Sequence, residues 1–296
     1  RVEPQAEVNA DRPLLRLVQP NAPQPLTWEP GYRETFYERL LSATAEEAID
    51  GGARPDLVIW PEMAVHFVPV ENPAEMQRIA RAARGPAVIL GAFHRERRPE
   101  GEFLTNAFHT VLPDGALGPR YDKHHLVPFG EYMPLVHLLG RLGLPDFSEG
   151  VGFSRGDGPT TLHLPGLPSF SPNICYEAIF PYEVVGQERP EWIAQITNDA
   201  WFGSFAGPQQ HLAQARFRAV EQGLPVVRAT NTGISAMIDP YGRVVESIEM
   251  HNYDWLDVSL PKPLPTTPYS IVGDISCILL LLALSFSIMQ LYRLRD

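Results

Sequence analysis

Leu167-Pro-Ser-Phe-Ser-Pro-Asn-Ile-Cys175-Tyr-Glu177 is an apolar run that ends in a thiol and, two residues on, a carboxylate. Its counterpart upstream, Asp56-Leu-Val-Ile-Trp60-Pro-Glu62, is a second short apolar run closed by a reactive side chain. Runs of this length read as buried strands, and open α/β sheets collect their reactive groups at the carboxyl ends of such strands. Lys123 stands in a third context of the same kind, Tyr121-Asp-Lys123. A thiol that attacks a carbonyl needs a carboxylate to take its proton and a fixed positive charge near the oxyanion that develops. Cys175, Glu62 and Lys123 can supply these functions, and the expected chemistry is acyl transfer through a thioester. Taken singly, each has a plainer reading: a small buried hydrophobe, a solvated strand-end carboxylate and a surface cation. Their shared placement carries the functional one.

Outward from these runs the pattern alternates. Strand patterns at 14–19, 57–60 and 87–93 are separated by helical ones at 31–49 and 73–84. Residues 106–112 and 117–121, joined by Pro113-Asp-Gly115, read as a hairpin. The alternation resumes with strands at 169–175, 192–197 and 226–230 and helices at 180–187 and 208–222, and a last hairpin pairs 236–238 with 244–248 through Asp239-Pro-Tyr-Gly242. Such an order predicts an α/β catalytic domain over 12–260 whose sheets are covered by helices. Residues 261–274 are proline-rich and are expected to form a stiff, extended connector. Beyond it, Ile275-Ser-Cys-Ile-Leu-Leu-Leu-Leu-Ala-Leu-Ser-Phe-Ser-Ile-Met-Gln-Leu291 carries no charge, which predicts a C-terminal transmembrane helix over 275–292. Arg293 and Arg295 would put its end in the cytoplasm and the catalytic domain on the opposite, extracytoplasmic face.

The 296 residues are 44% hydrophobic and carry a formal net charge of −11. With no basic stretch to neutralise phosphates, that balance excludes nucleic acid as a partner. Cys175 and Cys277 make no disulfide framework, since Cys277 falls in the apolar tail. The nine histidines show no metal-ligand spacing, and adjacent His124 and His125 on a strand would point to opposite faces. No metal and no cofactor are expected. The chain begins at Arg1 without an initiator methionine, so it is expected to be a fragment or a processed product, with any N-terminal membrane region lying outside it.

Six blocks together resemble the nitrilase, or carbon-nitrogen hydrolase, superfamily and, within it, the apolipoprotein N-acyltransferases. They are Trp60-Pro-Glu62, Tyr121-Asp-Lys123, Pro128-Phe-Gly-Glu-Tyr-Met-Pro134, Ile174-Cys-Tyr-Glu177, Thr197-Asn-Asp-Ala-Trp-Phe-Gly203 and Arg228-Ala-Thr-Asn-Thr-Gly-Ile-Ser235. The first, second and fourth are shared in outline with soluble amidases; the third and fifth look like the acyltransferases. The resemblance implies an αββα sandwich, with Glu62 as general base and Lys123 beside the backbone N–H of Tyr176 as oxyanion donors. It implies Glu131 and Glu177 as supporting carboxylates, and Trp28, Trp201, Tyr132 and Phe202 as walls of the substrate pocket. The apolar stretches 63–70 and 132–153, the second rich in leucine at 135, 138, 139, 142 and 144, would form a lid that dips into a bilayer. The implied reaction runs in two steps at the bacterial inner membrane, from a phospholipid acyl donor to Cys175 and then to the N-terminal amine of a diacylglyceryl-cysteine on an apolipoprotein. The alternative is an amidase in which the same three residues hydrolyse a carbon-nitrogen bond with water as second nucleophile.

Overall fold

The computed structural model describes residues 12–23, 26, 29–48, 52–99, 101–134, 152–203 and 205–293. In chain order the strands are β1 (Leu14–Gln19), β2 (Leu57–Ile59), β3 (Ala87–Arg98), β4 (Gly101–Val111), β5 (Tyr121–Asp122), β6 (Phe170–Ile174), β7 (Trp192–Thr197), β8 (Val226–Thr230), β9 (Ser235–Ile238), β10 (Val244–Ile248) and β11 (Asp254–Ser259). One six-stranded sheet has the order β11-β1-β2-β3-β4-β5, and a five-stranded sheet has the order β10-β9-β8-β7-β6. Within them β1, β2 and β3 run parallel, as do β6, β7 and β8. Glu62 follows β2, Lys123 follows β5 and Cys175 follows β6, so strand ends from both sheets carry the three residues.

Side chains alternate across a strand, so each sheet presents two faces to be buried. Leu15, Leu17, Leu57, Ile59, Ile89 and Phe108 of the first sheet meet Phe170, Ile174, Trp192, Ile196 and Met237 of the second in one core. Their neighbours Val18, Val58, Val88 and Leu90 face the other way, onto helices α1 (Pro30–Ala45) and α2 (Pro73–Ala83). Met76, Ile79, Ala80 and Ala83 form the i, i+3, i+4, i+7 stripe by which α2 docks. Helix α3 (Gly207–Gln222) covers the second sheet, setting Ala215 and Ala219 against Ile193, Val226 and Ile238. Helix, sheet, sheet and helix follow in that order, which is the αββα sandwich. A proline stands at the first or second position of α1, α2 and α3, where its fixed φ and missing N–H suit a helix start.

Three features differ from the sequence reading. Residues 180–187 form turns and bends rather than a helix. Pro181 follows Phe180 there, and the carbonyl of Val184 accepts from the side chains of Ser171 and Asn173 instead of from a helical ladder. β11 was not foreseen. It pairs antiparallel with β1, and the buried Arg16 crosses that pair to bond Asp257 and to cap the carbonyls of Ala43, Thr44 and Glu46 at the end of α1. The third difference is at the C-terminus, where α4 (Pro268–Val272) and α5 (Ile275–Arg293) follow the sandwich. Among the described residues no helix is long and apolar enough to cross a membrane. The transmembrane helix expected over 275–292 is corrected accordingly. The 19 residues of α5 reach roughly 28 Å, and Gln290, Tyr292 and Arg293 end it, so its apolar part falls short of a bilayer core of about 30 Å. The side of the membrane read from that helix loses its support with it.

Candidate active site

Cys175 opens a 3-10 turn, Cys175–Ile179, directly after β6, and its φ is +51°. A left-handed backbone costs a residue with a Cβ roughly 1–2 kcal/mol, so contacts around the turn must hold it. Glu177 makes several of them. One carboxylate oxygen accepts from the Ile174 amide at 2.8 Å. The other accepts from the Tyr121 hydroxyl at 2.7 Å and from the amides of His124 at 2.8 Å and His125 at 3.2 Å. This fully buried side chain therefore ties the strand end that carries Cys175 to the segment that carries Lys123.

Glu62 enters from β2 through Trp60-Pro61. A Cβ at position 91 would lie 2.5 Å from the Cα of Glu62, so glycine at 91 admits this close approach. Oε2 of Glu62 accepts from the Asn198 amide at 2.8 Å, and Oε1 from Asn106 Nδ2 at 2.8 Å and Lys123 Nζ at 3.4 Å. Its backbone carbonyl accepts from Asn231 Nδ2 at 2.9 Å, so two residues that follow strands of the second sheet fix a carboxylate carried by the first. Lys123 Nζ also donates to Glu131 at 2.8 Å, and the other oxygen of Glu131 accepts from the Val127 amide at 2.8 Å. The ammonium is buried between two carboxylates.

Burial alone would lower the pKa of Lys123, but Glu62, Cys175 and Glu131 outweigh it and hold the ammonium charged far above neutral pH. Cys175 moves the other way from a reactive thiolate. Burial first and Glu62 next push its thiol up to about 12, against the opposing pull of Lys123 and a hydrogen bond with Thr197. The pull of Lys123 toward the thiolate is thus overridden. The resting site pairs a neutral thiol with a carboxylate and an ammonium, an arrangement suited to proton removal at the moment of attack rather than to a stored thiolate.

Glu62, Lys123, Glu131, Cys175 and Tyr176 line one cavity of about 290 Å³ together with Phe93, Val127, Phe153, Trp201 and Phe202. Trp201 and Phe202 are exposed and form its rim. Glu177 lies behind it. Tyr132, expected in the wall, is not among the lining residues; the Arg155 guanidinium sits over its ring at 5.1 Å. Trp28 and the stretch 135–151 of the expected lid lie outside the described residues.

Sequence reasoning missed Asn106, Asn198 and a buried network beneath Cys175. Asp199 accepts from Arg228 and stands 2.9 Å from His211 Nδ1. Burial would raise the Asp199 carboxyl, yet Arg228 and His211 hold it at about 2. One sequence signal was available: the buried stripe of α3 reads His211, Ala215, Arg218, Ala219, with polar residues at two of its positions. The histidine pair also differs from expectation. His124 and His125 follow β5 in an irregular segment, and both rings reach Glu183, at 3.3 Å and 2.5 Å. The ligand atoms of His124, His125 and Glu183 all lie within 4.8 Å of one another, a grouping that could hold a metal ion and that the histidine spacing did not suggest.

Comparison with known proteins agrees with this architecture. A carbon-nitrogen hydrolase family model matches residues 15–252. The chain is 39% identical over 274 residues to an apolipoprotein N-acyltransferase of Rhodopseudomonas palustris, covering 90% of this chain and 51% of the relative. It is 42% identical over 270 residues to the enzyme of the same name from Bradyrhizobium diazoefficiens, covering 88% and 50%. The chain thus spans about half the length of these relatives. Among solved structures, a CN-hydrolase superfamily protein of Xanthomonas campestris superposes with a TM-score of 0.56 at 20% identity, over 84% of this chain and 90% of that one. An amidase from Nesterenkonia sp. does so at 0.56 and 19%, over 86% and 92%, and at such identities the likeness is one of fold. With most of its length matched by the family model and both sheets in place, this chain belongs to the carbon-nitrogen hydrolase family.

Proposed function

We propose that the chain is the catalytic part of an apolipoprotein N-acyltransferase, working through a thioester on Cys175. The carrying observation is that Glu62, Lys123 and Cys175 share one apolar cavity whose rim is aromatic and exposed. Cys175 Sγ attacks the ester carbonyl of a phospholipid while Glu62 takes the thiol proton. Lys123 and the Tyr176 N–H stabilise the oxyanion; the C–O bond then breaks, and Glu62 returns the proton to the departing lysophospholipid. The N-terminal amine of a diacylglyceryl-cysteine next attacks the thioester and gives its proton to Glu62; the C–S bond breaks, the product leaves as an amide, and Glu62 passes the proton to the departing Cys175 sulfur, which restores the thiol. Glu131 supports Lys123 by fixing its ammonium. The apolar wall of Phe93, Val127, Phe153, Trp201 and Phe202 suits an acyl chain and disfavours the water that would hydrolyse the intermediate.

The names of the relatives support this reading, and so does the site's fit to a lipid. Work at a bacterial inner membrane follows from the substrates proposed. The exposed apolar side chains of α5, Leu279 to Leu282 among them, support contact with lipid. The test is to supply the protein with acyl-labelled phospholipid vesicles and a synthetic diacylglyceryl-cysteine peptide. The proposal expects label in an amide on the peptide, with lysophospholipid formed in equal amount. Label released only as free fatty acid would instead favour a hydrolase that uses water as second nucleophile.

A further inference from the structure

The left-handed turn at Cys175 is gripped on both sides. Glu177 holds the Ile174 amide before it, and His211 Nε2 stands 3.2 Å from the Cys175 carbonyl after it. His211 is 3% exposed, and the proposed chemistry leaves it without a task. A carbonyl only accepts, so this contact is a bond when Nε2 carries the ring proton. Arg228 Nη2, 3.2 Å from Nδ1, then donates to the other ring nitrogen. Gln195 suits the same tautomer once its side-chain amide is turned over. Its Nε2 is 3.3 Å from His211 Nε2 while its buried Oε1 has no partner, and turning the amide over sets that oxygen against the ring N–H.

The carbonyl of Cys175 and the N–H of Tyr176 belong to one planar trans peptide, so they point in opposite directions. A hand on the carbonyl aims the amide. We propose that His211, held at Nδ1 by Arg228, which is itself anchored on Asp199, is a positioning residue that sets the direction of the Tyr176 N–H toward the oxyanion by fixing the Cys175 carbonyl. This rests on the thioester reading above. It makes the buried trio beneath the nucleophile part of the acylation step, although none of the three touches substrate.

The test separates reactions that form an oxyanion from one that does not. The full chain is reacted with a short-chain p-nitrophenyl ester, read as the first-turnover release of p-nitrophenol. It is reacted in parallel with iodoacetamide, read as alkylation of Cys175 by mass; displacement of iodide passes through no tetrahedral intermediate. His211→Leu is expected to slow ester acylation about 100-fold, the effect of losing one oxyanion donor, and to keep alkylation within about threefold of the parent. Parallel loss of both reactions, or no loss of either, overturns the proposal. Where the leucine variant does not fold, His211→Gln decides, since its amide nitrogen reaches close to the position of Nε2. It should keep ester acylation within about tenfold of the parent, and a loss of about 100-fold with alkylation intact would contradict a role for a donor here. A parent protein inert at Cys175 toward both probes would instead remove the thioester reading, and this inference with it.

Discussion

Replacing Glu62 with glutamine separates its proposed role as base from its role as structural acceptor. With burial and Glu62 pushing the thiol up to about 12, almost no site holds a thiolate at pH 7.5 when no base assists. The carboxylate bypasses that population by taking the proton as sulfur attacks. Its loss is partly offset, because Glu62 is itself the second cause of the raised thiol, and an uncharged side chain lets that value fall. The expected fall in acylation rate is therefore about 10² to 10⁴, the usual range for a general base and less than the bare thiolate fraction suggests. The fold also feels the change. Glu62 accepts on one oxygen from the Asn198 amide and on the other from Asn106 and Lys123, so a glutamine NH₂ must face a donor on one side. That mismatch costs about 1–3 kcal/mol, a visible shift in urea midpoint but not unfolding. The assay is single-turnover acylation on acyl-labelled phospholipid vesicles between pH 6 and 9. The variant's residual rate should rise about tenfold per pH unit, since thiolate must now form before attack. A rate within fivefold of the parent, or one indifferent to pH in a folded variant, would refute the base assignment.

Other perturbations follow the same logic. Lys123→Met leaves Glu62 and Glu131 buried without their shared cation, so turnover should vanish and stability should drop by about 3–5 kcal/mol in chemical denaturation; an unchanged midpoint would show that the ammonium is dispensable to the fold. Glu177→Ala strips three backbone amides and the Tyr121 hydroxyl of their acceptor, and should melt the protein well below the parent even though Glu177 lines no part of the cavity. His109 is held by burial first, then by His94 and Arg120, at about 3, far below its value of 6.5 in an unfolded chain. The unfolded state therefore binds the proton first: the contribution of neutral His109 is complete above pH 6.5 and is lost as pH falls toward 3, by up to tenfold per unit in the folding equilibrium. Urea midpoints at pH 7, 5.5 and 4.5 should fall less steeply in His109→Gln than in the parent, and parallel curves would exclude His109 as a source of acid lability.

The two runs that opened the sequence reading survive in three dimensions because their information is local. β6 and β2 are short, fully buried and ended by the residues that matter, so composition and strand length suffice to place Cys175 and Glu62 at strand ends. The partners that make those groups reactive lie far off in sequence. Asn198 reaches Glu62 across 136 positions and Asn231 across 169, and a single asparagine in a loop carries no mark of such a contact. On a strand His124 and His125 would face opposite ways, and it is the irregular path after β5 that brings both rings to Glu183. β11 was legible and overlooked: its inward Leu256 and Val258 alternate with Trp255 and Asp257 in the period of two that marks a strand. The apolar tail misled for a different reason, since hydropathy reports on composition, whereas spanning depends on the length of apolar helix actually formed.

The most direct test of the account is the intact mass of the full chain after incubation with phospholipid alone, with no amine acceptor present. The account predicts a mass increase of one acyl chain, removed by neutral hydroxylamine and absent in Cys175→Ala, with Cys277→Ser acylated like the parent. An acyl adduct that persists in Cys175→Ala, or a parent protein that gains no mass from phospholipid, would contradict it.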